Sequence, residues 1–259
     1  MAEPADRDEF YIGYLPVAPP RQGRAGRRIA LGLVALAAIL AVVLVTAQRP
    51  FAVATFEYGT PRRFEGWISE SPYPVLLMAR PGMTGESAPV STYLLTTPGK
   101  HGAQEAVRGL NGRAVSLEGT LAYRDDQALI EIARGSLPPR SVVLPPQPRE
   151  RWDTIGVRSV EGEIIDSKCG LGVMNPATGK PHRTCAARCI SGGIPPMVAV
   201  RDSTGRTSYL FLTDRAGQPV ADVILTYVAE PVRITGMVTR RGDALYLAAD
   251  SAGIRRIEH

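Results

Sequence analysis

A sequence pattern that occurs twice is the feature that most constrains how this chain folds. Residues 65–71 (EGWISES) correspond to residues 161–167 (EGEIIDS), and residues 115–126 correspond to residues 232–243, with a shared V-x-L/I-x-G start and a shared R-x-D end. Two matched pairs in the same order predict an internal duplication, so we expect two copies of one small domain rather than one large core. The alternative is that such alternation recurs in any antiparallel sheet.

Each copy shows the same order of predicted elements: three strands, a short helix and two further strands. These segments are 64–71, 74–79, 91–97, helix 99–110, 113–123 and 127–133 in the first copy, and 160–167, 197–203, 207–214, helix 219–228, 231–242 and 244–250 in the second. The order resembles that of the OB-fold, a five-stranded barrel with a helix between its third and fourth strands. The sequence therefore predicts a mainly β protein, in which an N-terminal transmembrane helix is followed by two tandem OB-like five-stranded barrels.

The domain boundaries follow from these patterns. We expect a cytoplasmic disordered tail over residues 1–28, a transmembrane helix over 29–47 and the first OB-like domain over 50–134. A proline-rich linker over 135–156 and the second OB-like domain over 157–259 complete the chain. The linker is predicted because its prolines suit neither a helix interior nor a central strand.

The second copy contains an insertion. The numbering offset between matched residues of the two copies is about 20 larger after the first strand than within it. The second copy has therefore gained a segment there, residues 169–196 (CGLGVMNPATGKPHRTCAARCISGGIPP). We expect the barrel to close without this segment. Because the loop between the first two strands is a common ligand-binding loop of OB-folds, we interpret the insertion as the functional site.

The insertion contains all three cysteines of the chain and one of its three histidines. His182, Cys185 and Cys189 lie at positions i, i+3 and i+7, so a helix over 184–190 would place them on one face. A loop rich in glycine and proline can bring Cys169 to the same place. Three thiols and an imidazole suit tetrahedral zinc, and soft thiolates equally suit Cu(I). The sequence therefore predicts a copper or zinc site on these four residues.

Neighbouring side chains extend this prediction. Met174 and Met197 are candidate additional thioether ligands. Asp166, at the end of the preceding strand, is a candidate hydrogen-bond acceptor that orients the histidine; alternatively, it caps the turn. Arg183 and Arg188 flank the cysteines and are expected to lower the pKa of the thiols, or they solvate the loop.

A disulfide is the alternative to a metal. In an oxidising compartment, a bond between Cys169 and either Cys185 or Cys189 would staple the insertion. Three cysteines leave one thiol over in that case. The insertion would then be a contact element, and the barrels would serve as structural protein-interaction modules.

A run of 19 uncharged residues, Ile29 to Ala47, predicts a membrane span, because at about 1.5 Å per residue it is as long as a bilayer core is thick. A cleaved signal peptide is the alternative. Four arginines between residues 21 and 28 precede the run, so the positive-inside rule places the N-terminus in the cytoplasm and the C-terminal domains outside it. In a bacterium this means a single-pass protein of the inner membrane with periplasmic domains.

No motif in the sequence indicates a reaction. We find no phosphate-binding glycine loop, no paired-carboxylate spacing and no serine in a nucleophile elbow, so a binding protein is favoured over an enzyme. Nucleic-acid binding is not expected, because the compartment is unsuitable and no basic stripe is interleaved with aromatic residues. The chain resembles uncharacterised bacterial membrane-anchored proteins that contain a C…HxxCAxxC segment in a β domain. We expect an accessory or assembly subunit of a membrane electron-transfer complex.

Overall fold

The computed structural model describes residues 19–47, 54–80, 89–147 and 150–257. The chain divides into two compact units, one that ends at Phe51 and one over Ala52–His259. The described part of the first unit is a single helix, and the second unit contains two closed five-stranded barrels. Most of the predicted N-terminal tail, residues 1–18, lies outside the described residues.

The helix α1 runs over Pro20–Ala47 and includes the whole predicted span. It begins earlier than predicted because Pro20 suits the first helical position and the arginines that follow are good helix formers; residues 20–28 are therefore helical rather than disordered. No residue of α1 is buried in the described structure. By length and composition α1 can cross a membrane, a property that a signal sequence shares.

The first barrel is a ring of five strands. Its elements in chain order are β1 (Ala54–Phe56), β2 (Arg62–Ser69), β3 (Val75–Ala79), β4 (Val90–Thr97), β5 (His101–Gly102), α2 (Gln104–Val107), β6 (Ala114–Arg124), β7 (Gln127–Ile132) and β8 (Arg140–Ser141). The ring runs β2–β3–β4–β7–β6 and returns to β2, with β4 and β7 parallel and all other neighbours antiparallel. Large aliphatic residues fill it, among them Ile68, Leu76, Leu95 and Ile130.

The second barrel repeats this connectivity. Its elements are β9 (Trp152–Asp166), α3 (Arg183–Ser191), β10 (Pro196–Arg201), β11 (Thr207–Thr213), α4 (Ala221–Ile224), β12 (Pro231–Arg241), β13 (Ala244–Ala248) and β14 (Ile254–Arg256). The ring runs β9–β10–β11–β13–β12 and returns to β9, and β11–β13 is again the parallel pair. The prediction of two tandem five-stranded barrels, each with a short helix between its third and fourth strands, is confirmed.

Matched glycines occupy equivalent positions in the two barrels. A Cβ atom at Gly66 would overlap the carbonyl oxygen of Leu77 on β3, and a Cβ atom at Gly162 would overlap that of Ala199 on β10. Only glycine allows the neighbouring strand to approach so closely. The repeated EG motif in the sequence therefore serves the same packing requirement twice.

The helices between the third and fourth barrel strands are shorter than predicted. The predicted helix over 99–110 is reduced to α2, because Thr97 and His101 pair as strand residues across a turn in which Gly99 has a φ of 84°. In the second barrel, α4 continues as one 3-10 turn, Leu225–Tyr227. Neither helix extends beyond a short cap over the barrel end.

The two barrels share one buried apolar cluster. Its buried members are Tyr73, Val75, Leu77, Leu94, Ala122 and Leu129 from the first barrel and Ile165, Leu171, Met197, Tyr209, Phe211, Ala244 and Tyr246 from the second. Buried polar side chains cross the same contact: Arg241 Nη1 donates to the carbonyl oxygen of Ser71 at 2.8 Å, and Gln127 Nε2 donates to that of Tyr209 at 3.1 Å. The barrels therefore form one unit.

The segment predicted as a linker, 135–156, is partly built into the barrels. β8 pairs with the start of β6, and β9 begins at Trp152 because residues between Trp152 and Glu163 pair with β12. Tertiary pairing thus extends a strand beyond the residues that show clear alternation. Residues 142–147 have no helix or strand, and residues 148 and 149 lie outside the described part of the chain.

The insertion contributes to the core. Ala186 and Ile190 on α3 are fully buried in the same cluster as Ile164 and Val198 of the second barrel, and Leu171 lies in the cluster between the barrels. The strand ring closes without the insertion, as expected. In addition, the inward face of α3 packs against the barrel interior through Ala186 and Ile190.

Candidate metal centre

The insertion folds as two turns followed by a helix. Cys169–Val173 forms a turn with π-type hydrogen bonds, Lys180–His182 forms a 3-10 turn, and α3 follows directly. Two glycines end α3: the Gly192 amide donates to the carbonyl oxygen of Arg188 at 3.1 Å, and Gly193 adopts a φ of 89°. The positive φ turns the chain out of the helix and towards β10.

The three cysteines converge. Their Sγ atoms all lie within 4.8 Å of one another, because Cys185 and Cys189 are one turn apart on α3 and Cys169 follows the end of β9. Cys169 and Cys189 are buried and Cys185 is half-buried. In a regular tetrahedral zinc site the sulfurs would be about 3.8 Å apart, so the thiols are already close to a ligand arrangement. All three lie in the described structure as free thiols without a disulfide.

His182 and Asp166 form a buried pair beside the cysteines. His182 Nε2 is 2.9 Å from Asp166 Oδ2, and Asp166 Oδ1 accepts the backbone amide of Cys169 at 2.8 Å. The other ring nitrogen, His182 Nδ1, is buried and has no hydrogen-bond partner among the described residues. A buried ring nitrogen without a protein partner is available to bind an ion or a water. Asp166 thus contacts the His182 ring and also caps the turn through the Cys169 amide, which are the two roles considered for it from the sequence.

The four predicted ligands fall into two groups that share one residue. Cys169, Cys185 and Cys189 form the first group, and Asp166, Cys169 and His182 form the second, each with ligand atoms within 4.8 Å of one another. The structure therefore places His182 beside Cys169 and does not place it in one shell with all three sulfurs.

The other predicted site residues are dispersed. Met197 is fully buried in the cluster between the barrels, and the side chain of Met174 is 41% exposed. Arg183 is directed away from the thiols, because its Nη1 donates to Glu230 Oε1 at 2.7 Å. Arg188 is exposed on α3.

The cation at the thiols is a lysine that sequence reasoning missed. Lys100 Nζ lies 2.8 Å from Cys185 Sγ and 3.7 Å from Cys189 Sγ. Lys100 belongs to the turn between β4 and β5 of the first barrel, far from the cysteines in sequence. No local pattern relates it to the insertion, so only the docking of the two barrels reveals it.

The electrostatics of the cluster favour a thiolate at Cys189. Its pKa is lowered because the Cys169 thiol donates a hydrogen bond to it and because the Lys100 charge is close. The pKa of Cys169 is correspondingly raised, by that hydrogen bond and by burial. The pKa of Lys100 is raised by its hydrogen bond to Cys185. The cluster therefore contains one thiol whose ionisation is favoured and two further thiols, and the three can bind a thiophilic ion or be oxidised to a disulfide.

No protein-family model, curated protein or solved structure matches this chain. The functional interpretation therefore depends on the geometry of the site itself.

Proposed function

We propose that the protein is a membrane-anchored metal-binding protein whose insertion holds Zn²⁺ or Cu⁺ on Cys169, Cys185 and Cys189. The observation that carries this proposal is the convergence of three free thiols, from a strand end and a helix, to within 4.8 Å. Thiolates are preferred ligands of both ions. A structural staple would require only two cysteines.

His182 supports the proposal. In metal sites, a ligating histidine commonly donates its second ring N–H to a carboxylate, which fixes the orientation of the ring. Asp166 holds His182 Nε2 in this way and leaves the buried Nδ1 without a partner. His182 Nδ1 is therefore the nitrogen available to bind an ion beside Cys169, and the ring has to move towards Cys185 and Cys189 to complete one shell with all three sulfurs.

The number of ligands separates the two ions. A structural zinc site is four-coordinate, so zinc requires His182 in addition to the three sulfurs. Cu⁺ is selected by soft sulfur ligands, so the three cysteines provide a site for it without the imidazole. Replacement of His182 by alanine is therefore expected to release Zn²⁺ and to retain Cu⁺.

The location and partner form part of the same proposal. α1 anchors the chain in a bacterial inner membrane with its N-terminus in the cytoplasm and both barrels in the periplasm, where the protein serves as an accessory or assembly subunit of a membrane electron-transfer complex. The support for this orientation is the arginine cluster before the apolar run. A reporter that is active only in the periplasm is expected to be active when fused after the second barrel. Activity only in an N-terminal fusion would contradict the orientation.

The experiment on the site is metal analysis and thiol counting on the full chain, purified without oxygen in detergent. We expect one Zn²⁺ or Cu⁺ per chain, and we expect Cys169→Ser, Cys185→Ser and Cys189→Ser each to weaken retention at least about 100-fold. Met174→Ala, in the same insertion but exposed, is the control and should retain the ion. A metal-free protein with two cysteines protected from alkylation and one reactive thiol would instead support the disulfide-stapled interaction module.

A further inference from the structure

The thiol cluster has a contact with the first barrel that the proposed function does not use. We infer that Lys100 is a positioning residue of the metal centre, which donates a hydrogen bond to the sulfur ligands from outside the ligand shell and offsets part of their charge. This inference rests on the proposed function. It makes the centre a joint product of both barrels, because Lys100 belongs to the first barrel and every ligand to the second. The inference is based on two distances: Lys100 Nζ lies 2.8 Å from Cys185 Sγ and 3.7 Å from Cys189 Sγ.

A second lysine holds the turn that contains Lys100. The side chain of Lys168 is only 4% exposed; its ammonium group donates to the carbonyl oxygens of Thr97 at 2.9 Å and Gly99 at 2.8 Å, and it pairs with the carboxylate of Glu131 on β7. Lys168 directly precedes Cys169 in the sequence. The segment directly after β9 therefore contains both a metal ligand and the residue that holds the turn of the first barrel.

Backbone contacts fix the far side of the same turn. The Gly102 amide donates to the carbonyl oxygen of Gly192 at 2.9 Å, and Gln104 Nε2 donates to that of Gly193 at 2.6 Å. A Cβ atom at Gly192 would overlap the carbonyl oxygen of Lys100, so the two backbones are in direct contact there. Because the turn is held on both sides, the Lys100 side chain starts from a fixed position beside the sulfurs.

Charge balance gives this ammonium group a role. Three thiolates around a divalent ion carry one excess negative charge, which is unfavourable in a mostly buried site. Lys100 offsets this charge, and its hydrogen bond withdraws electron density from the sulfur. Arg183, two residues before Cys185 in sequence, is bound to Glu230 and does not replace it. Loss of Lys100 is therefore expected to speed release of the ion and to shift the sulfur-to-metal charge-transfer bands to lower energy.

The test compares Lys100→Met with Lys180→Met in the full chain. Lys180 is exposed in the same insertion, so it controls for the loss of one positive charge. Each variant is loaded with Zn²⁺ or Cu⁺, and release to a chelator is timed; the Co²⁺-loaded forms report the charge-transfer bands. We expect Lys100→Met to release the ion about 10-fold faster and to shift the bands to lower energy, Lys180→Met to change neither, and Lys100→Arg to restore part of the retention.

The outcomes separate this inference from the proposed function. A wild-type chain that retains neither Zn²⁺ nor Cu⁺ overturns both. A wild-type chain that retains the ion, together with Lys100→Met and Lys180→Met variants that have equal release rates and equal bands, overturns the role of Lys100 alone. Faster release with unshifted bands would also overturn it, since that result indicates only a loosened turn.

Discussion

The two barrels differ most between their first and second strands. Residues 70–74 join β2 to β3 in the first barrel, whereas residues 167–195 join β9 to β10 in the second. The flanking strands of the two barrels are equivalent. The first strand of each barrel contains a glycine, Gly66 or Gly162, that lies against the corresponding carbonyl group of the second strand. The ligands of the candidate metal centre therefore all lie in the segment that follows β9, on a barrel whose strands match those of the first barrel.

Strand-end carboxylates show how this difference arises. Glu70 follows β2 and accepts the backbone amide of Asn111 at 2.8 Å, which ties the strand end to the segment before β6. Its counterpart in the repeat, Asp166, accepts the amide of Cys169 and pairs with His182. The same type of interaction is thus directed to the barrel in one copy and to the insertion in the other.

A second pair of equivalent positions shows the same change. Trp67 is buried in the first barrel. Its counterpart in the second barrel is Glu163, whose Oε1 accepts the amide of Gly179 in the insertion at 2.5 Å. Partial burial raises the pKa of Glu163 despite this hydrogen bond. The second barrel therefore exchanges apolar packing at this position for a contact with the functional segment.

The largest expected effect tests whether the insertion is part of the barrel core. Ile190→Ala should lower the free energy of unfolding by about 2–5 kcal/mol, because Ile190 is fully buried in the second barrel. Val223→Ala, on α4 of the same barrel and half exposed, is the control and should change it by less than about 0.5 kcal/mol. Denaturant unfolding followed by circular dichroism measures both. Equal effects would mean that the insertion only rests on the barrel.

The strand-end carboxylates give the second effect. Asp166→Ala leaves the Cys169 amide and the His182 ring without their buried partner, and the loss is expected to cost about 1–3 kcal/mol in total. Glu70→Ala removes an exposed hydrogen bond to Asn111 and should cost less than about 1 kcal/mol. Thermal unfolding measures the stability of both variants. A larger loss of stability in Glu70→Ala than in Asp166→Ala would contradict the comparison.

The matched glycines should give equal effects in the two barrels. Gly66→Ala and Gly162→Ala each force a Cβ atom against a neighbouring carbonyl oxygen, so each is expected to cost about 1–3 kcal/mol. Gly135→Ala is the control, because a Cβ atom there meets no other atom within 4 Å. Urea unfolding measures the three variants. A tolerated alanine at only one of the two glycines would argue against their equivalence.

The smallest effect concerns Glu163 and pH. The pKa of the Glu163 carboxyl group is raised in the folded state. Just above the ordinary glutamate pKa, the folded chain therefore binds more protons than the unfolded chain. The contribution of this residue to the free energy of unfolding consequently falls as pH rises through that range. Glu163→Gln removes this dependence, and its amide oxygen still accepts the Gly179 N–H. We expect the variant to gain stability over the wild type between about pH 4 and pH 7. A gain that is independent of pH would contradict the assignment.

The sequence by itself determined the parts of this protein that depend on local pattern. Alternating apolar residues, repeated EG and V-x-L/I-x-G motifs and glycine-rich turns predicted two barrels and the position of the insertion between the first two strands of the second copy. The i, i+4 spacing of Cys185 and Cys189 placed both on one turn of α3. These features are predictable because each arises from residues close together in the chain.

Only the tertiary structure decided what surrounds the thiols. The contact of Lys100 with Cys185, the direction of Arg183 to Glu230 and the separation of His182 from two of the three sulfurs all depend on how α3 docks and how the barrels pack. Strand ends, the extent of β9 and the shared core were set in the same way, by pairing with residues far away in sequence. No local sequence pattern specifies these contacts, because each depends on how the folded chain brings the side chains together.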